Sequence, residues 1–129
     1  MKLTTERVTT SVQSYPTTTT AISGSASVSM AQYRHAVAKM FAHRLPDKLG
    51  EGVITLSLYE TTGSNVRGTQ VAASVVTGSI TSVSDVILQA EIDTADMSST
   101  YTNLYAHAVS ATGTVLSTII ERDEARYET

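Results

Sequence analysis

Residues 101–120, YTNLYAHAVSATGTVLSTII, decide the fold class. The first arm sets Leu104, Ala106 and Ala108 on one face and Tyr105, His107 and Val109 on the other, the period-two alternation of a strand rather than the 3.6 of a helix. Ala111-Thr112-Gly113-Thr114 then supplies a glycine where a tight turn needs positive φ, and the β-branched run Val115 to Ile120 resumes the extended pattern. The spacing predicts a β-hairpin covered on both faces. A lone hairpin is marginal in water, so the rest of the chain must supply covering strands.

Working outward, residues 52–60 (GVITLSLYE) direct Ile54, Leu56 and Leu58 to a core and Thr55, Ser57 and Tyr59 away from it. Residues 70–77 (QVAASVVT) read as a short strand, and residues 78–85 as a polar connection. Residues 85–92 (DVILQAEI) read as a further strand, with Val86, Leu88 and Ala90 opposed to Ile87, Gln89 and Glu91. Short strands separated by turn residues at spacings near ten predict an all-β, antiparallel β-sandwich, Ig-like or jelly-roll-like. Composition agrees: the 129 residues suffice for one domain, and they include 16 serines and 21 threonines but one phenylalanine and no tryptophan. Such a core is built from aliphatic side chains and packs as thin sheets rather than as a helical bundle.

Net charge is −3, so no basic field exists to attract phosphate backbones, and nucleic acid is not expected as a partner. The chain has no cysteine, which removes disulfides, thiolate catalysis and Cys-type zinc sites together. The first twenty residues lack the apolar core of a secretory signal, and no apolar run approaches the ~20 residues of a membrane span.

Residues 1–29 are rich in Thr and Ser and poor in large apolar side chains. They are expected to form an extended N-terminal arm, disordered in an isolated chain and ordered by strand addition on a partner. Within it Val8, Val12, Tyr15, Pro16 and Ile22 are the candidate partner-binding residues. Residues 30–122 are the expected sandwich domain, and residues 123–129 a charged tail whose Arg126 and Tyr127 complete the candidate contacts. Residues 29–45 carry two readings. Ser29 and Gln32 resemble a capping box ahead of apolar residues at helical spacing, whereas period two sets Tyr33, His35, Val37, Lys39 and Phe41 against Ala36, Ala38, Met40 and Ala42.

Little in the sequence points to reaction chemistry. His35, His43 and His107 lack the spacing of a zinc site, and no cysteine completes a set. Asp93 and Asp96 lie in a DTAD loop that lacks the ligand run of a calcium loop and is read as capping its own backbone. Gly78-Ser79 and Gly24-Ser25 lack the context of a nucleophile elbow. With so many hydroxyls, a serine beside a histidine is expected by chance. Glu60 and Glu91, each ending a strand, are about the only carboxylates that could sit together near a sheet edge, and they are read instead as solvated strand ends. No cofactor or metal is expected, and the chain is read as a non-enzyme.

The succession YRHAVA, GVITLSLYETTG, VILQAEIDTADM, YTNLYAHAVSATGTVLS and EARY, across residues 32–127, resembles small virion proteins encoded near the major capsid gene of tailed bacteriophages. The resemblance favours the strand reading of residues 29–45. It implies a capsid decoration, cement or auxiliary protein on the phage shell, or a head-tail component, made in the host bacterial cytoplasm and located on the virion. The implied partners are the major capsid protein and other copies of the chain, as a homo-oligomer. An Ig-like carbohydrate-binding or adhesion module is the alternative, with six tyrosines and Phe41 available for stacking on sugars.

Overall fold

The computed structural model describes residues 8–24, 26–46, 51–62, 68–81, 85–98 and 101–125. Ten strands follow in order: β1 (Thr9–Thr18), β2 (Ala21–Ser23), β3 (Val28–Ser29), β4 (Tyr33–Arg44), β5 (Gly52–Thr61), β6 (Thr69–Gln70), β7 (Val76–Ile80), β8 (Asp85–Asp93), β9 (Asn103–Val109) and β10 (Thr114–Ala125). Among the described residues the only helical turns are short 3-10 segments at Ala72–Ser74 and Thr94–Asp96.

Sheet A runs β1-β10-β4-β8 and sheet B runs β2-β9-β5-β6, with β3 also on β9 and β7 also on β5. All pairings are antiparallel. If β2 with β3 and β6 with β7 count as single interrupted strands, the chain crosses between the sheets at every connection except that from β5 to β6/β7, as two interleaved Greek keys, which is the jelly-roll form of the sandwich. Between the layers lie Met30, Met40, Ile54, Leu56, Leu58, Ile80, Leu104, Leu116 and Ile120, an aliphatic core with no aromatic ring among its largest buried side chains.

Residues 29–45 are strand. β4 lies at the centre of sheet A, burying Ala36, Ala38, Met40, Ala42 and Arg44 while the intervening side chains face outward. Pairing on both flanks overrides helix propensity here, and small alanines let the sheets approach closely. The cap-like Ser29 is used in a turn, its hydroxyl accepting the Ala31 N–H at 3.2 Å.

Three expectations are corrected. The stretch at residues 101–120 is not a hairpin: β9 belongs to sheet B and β10 to sheet A, so the turn carries the chain from one layer to the other. Gly113 does take φ 80° in that turn. The inward residues of the two strands face each other across the core, and alternation alone cannot separate this arch from a hairpin. Second, the sandwich does not begin at residue 30. β1 pairs with β10, while β2 and β3 pair with β9, so residues 9–29 are part of both sheets and are not a free arm. Threonine and valine favour extended backbone, and the stretch fills its inward positions largely with polar groups. Ser14 Oγ meets Thr118 Oγ1 at 2.7 Å. Gln13, 1% exposed, accepts the Ala106 N–H at 3.0 Å and donates Nε2 to Ala26 O at 3.0 Å, bridging β9 where β2 and β3 are interrupted. Third, the tail boundary at residue 123 falls inside β10, which pairs with β4 as far as Ala125. The segment at residues 78–85 likewise shortens, because β7 reaches Ile80.

Candidate functional site

Two outward sheet faces carry exposed side chains that the register brings together. On sheet A, β4 presents His35, Val37, Lys39, Phe41 and His43, and the register lines these up with β10 and β8. Ile119 and Val12 continue the row of Lys39, and Ile87 stands opposite Phe41. Val12, Phe41 and Ile87 are 51%, 40% and 58% exposed, an apolar set that crosses the face from edge strand β1 to edge strand β8.

Ion pairs lie beside and between these side chains. His35 Nδ1 lies 2.7 Å from Asp123 Oδ1 and its Nε2 lies 3.2 Å from Glu91 Oε2, so one ring ties β4 to both neighbours. Lys39 Nζ meets Glu121 at 3.1 Å, and His43 Nδ1 meets Asp85 at 2.5 Å. Burial opposes the charged form of His35, but the hydrogen bonds and charges of Asp123 and then Glu91 together outweigh it and raise its pKa above 6.5.

On sheet B, the rings of Tyr59 and Tyr105 stack at 5.4 Å between centroids and 16° between planes, with His107 edge-on to Tyr59 at 5.4 Å. Cross-strand register brings these together, since Tyr59 opposes Tyr105 and Ser57 opposes His107. His107 Nδ1 lies 2.8 Å from Ser23 Oγ. Burial lowers the His107 pKa below 6.5, holding the ring neutral. This is the serine beside a histidine anticipated from composition, and among the described residues no carboxylate hydrogen-bonds the ring as the orienting group of a triad would.

The structure keeps four of the predicted contact residues on or beside β1 and places Ile22 on β2. Val12, Tyr15 and Pro16 are exposed on β1, Val8 is half-buried just before it, and Ile22 packs against the core from β2. Arg126 and Tyr127 lie outside the described residues. His35 and His107 fall on different sheets. Glu60 and Glu91 do not meet: Glu60 is buried from sheet B and accepts the Ser98 N–H and hydroxyl, each at 2.8 Å, whereas Glu91 is on the outer face of sheet A. Asp93 and Asp96 cap each other's backbone. Among the described residues no group of three or more acidic or histidine side chains is placed to hold a metal ion. Sequence reasoning missed Gln13, Arg44 and the Tyr59–Tyr105 stack. Only the strand register reveals the stack, and the lone signal for Gln13 was a glutamine between apolar alternations.

No protein-family model matches the chain, and no curated protein matches it. Solved structures do. A chain of the infectious bursal disease virus particle superposes with TM-score 0.59 at 16% identity, covering 92% of this chain and 31% of that one. The subviral particle of the same virus gives TM-score 0.57 at 14% identity, covering 92% and 32%. This is a viral-capsid-like jelly roll. The chain spans about a third of those virus chains. A family 22 carbohydrate-binding module of a Clostridium thermocellum xylanase gives TM-score 0.53 at 10% identity, covering 98% of this chain and 91% of that one. At such identities the likeness is one of fold.

Proposed function

We propose that the chain is a non-enzymatic structural protein of a tailed-bacteriophage virion, a decoration or cement protein that binds the major capsid protein and other copies of itself on the shell surface. The observation that carries this reading is the outer face of sheet A, where Val12, Phe41 and Ile87 are exposed together on a jelly roll of viral-capsid type. Clustered apolar side chains rimmed by charge mark contact surfaces. A protein that binds only the assembled shell stabilises it by mass action. Because residues 9–29 are spent within the sandwich, contact passes to this face rather than to an arm. The test is co-sedimentation with shells purified from the phage that encodes the chain. Wild-type protein should pellet with shells and Phe41→Glu should lose at least tenfold in affinity while keeping its fold; equal binding by the variant would reject the face.

A second reading is supported by the stacked Tyr59–Tyr105 pair beside His107, since saccharides pack on aromatic rings and jelly rolls also serve as lectin domains. It predicts hits on a glycan array that Tyr59→Ala and Tyr105→Ala abolish. An array without hits retires it.

A further inference from the structure

Arg44 ends β4 on its inward face, 6% exposed, and among the described residues it makes no hydrogen bond or ion pair. Its Nε and Nη1 are sealed from solvent without acceptors, which leaves Nη2 as the nitrogen nearest the surface. A guanidinium stays charged at any ordinary pH, and a buried charge without a counter-charge is strongly unfavourable. The other inward arginine of sheet A shows the usual solution. Arg122 donates Nη1 to Ser29 O at 2.8 Å and lies 4.7 Å over the Tyr33 ring, with Nε alone unmet.

Two buried hydroxyls near Arg44 are likewise without partners. Thr114, directly opposite it on β10, has a fully buried hydroxyl with no partner, and so does Ser110, at the end of β9 on the same end of the sandwich. Gly52 makes space for the guanidinium itself. A Cβ on Gly52 would meet Arg44 Nη1 and Ala111 Cβ, so only glycine at the start of β5 lets the guanidinium lie there.

We infer that Arg44, with the Thr114 hydroxyl, holds one small oxyanion of carboxylate, sulfate or phosphate type at this end of the jelly roll. Such an anion reaches the guanidinium from the surface at Nη2, and hydrogen bonds between guanidinium and an oxyanion are charge-assisted and strong. The inference stands apart from the virion reading and survives its failure.

Thermal unfolding of the full chain in sodium acetate, sulfate or phosphate, against sodium chloride at matched ionic strength, tests it. The wild-type midpoint should climb by about 5 °C for each tenfold rise in the preferred anion above its dissociation constant. Arg44→Leu should remove the difference between salts, leaving only the general salt effect, and Thr114→Val should reduce it. Acetate as the effective salt assigns a carboxylate, and sulfate or phosphate assigns a tetrahedral oxyanion. A wild-type response no larger than that of Arg44→Leu overturns the site. Should Arg44→Leu fail to fold, the Arg44 Nε–Hε resonance of the unmodified protein decides: a saturable shift with one of the three anions supports the site, and an unchanged resonance overturns it.

Discussion

The two edges of sheet A are built in opposite ways. β1 slips register twice against β10, between Val12 and Ser14 and again between Ser14 and Thr17, which throws Tyr15 and the donor-less Pro16 out to solvent. β8 pairs with β4 through all nine of its residues without a shift and contains no proline. Bulges and proline are the devices that stop a sheet edge from recruiting further strands, and a long regular edge invites them. One side of the sheet is therefore closed and the other is open to an added strand, with Asp85, Ile87, Gln89, Glu91 and Asp93 lining the outward face of the open side.

The sharpest break of this contrast is removal of the closed edge. Deleting residues 1–18 strips β1 from β10 and removes the Gln13 side chain that reaches across to sheet B, and the sigmoidal thermal transition seen by circular dichroism should vanish. A truncated chain that still melts cooperatively would restore the free-arm view of the N-terminus. A milder cut at the same edge is Gln13→Leu, which keeps the volume but strands the buried Ala106 N–H; urea denaturation should register a loss of about 1–3 kcal/mol. On the open edge, Ile87→Lys should leave stability within about 0.5 kcal/mol, because the side chain is exposed, yet weaken any association that uses β8. Sedimentation of both proteins with shells separates the two effects, and unchanged association would show that partners ignore this edge.

The smallest expected effect is electrostatic. His35 clasps β10 through Asp123 and β8 through Glu91, and its pKa is raised. The group binds its proton more tightly folded than unfolded, so its contribution is fully present below pH 6.5 and is lost as pH rises through the folded value. His107 has the opposite sign: its lowered pKa favours the folded state above pH 6.5 and costs stability as pH falls through the folded value. Because the two oppose each other in overall stability, the check is residue-specific. Proton NMR titration should place the His35 midpoint above that of His107, and Asp123→Asn should lower the His35 midpoint alone.

Much of the architecture was legible because its signal is periodic. β4, β5, β8 and β9 all show alternate burial close to that read from hydropathy, including β4 against its own helix propensity. What escaped was whatever depends on partners far away in sequence. Whether residues 101–120 fold back within one sheet or cross between two is not encoded in their own alternation. β1 was hidden for a different reason: its inward residues Gln13 and Ser14 are polar, and their fit appears only once Ala106, Ala26 and Thr118 are in place. The candidate faces follow the same rule, since neither the Phe41–Ile87 patch nor the Tyr59–Tyr105 stack exists until register is set.

The union of β1 with β10 also sets a clock on synthesis. Thr9 pairs with Arg122, so β1 has no partner in this sheet until the chain has been made as far as β10. At ~5–20 residues per second that wait is roughly 5–20 s. A nascent β1 spends it as a threonine-rich, hydrated ribbon with little apolar surface, which keeps it from sticking to neighbouring chains before its proper strand arrives.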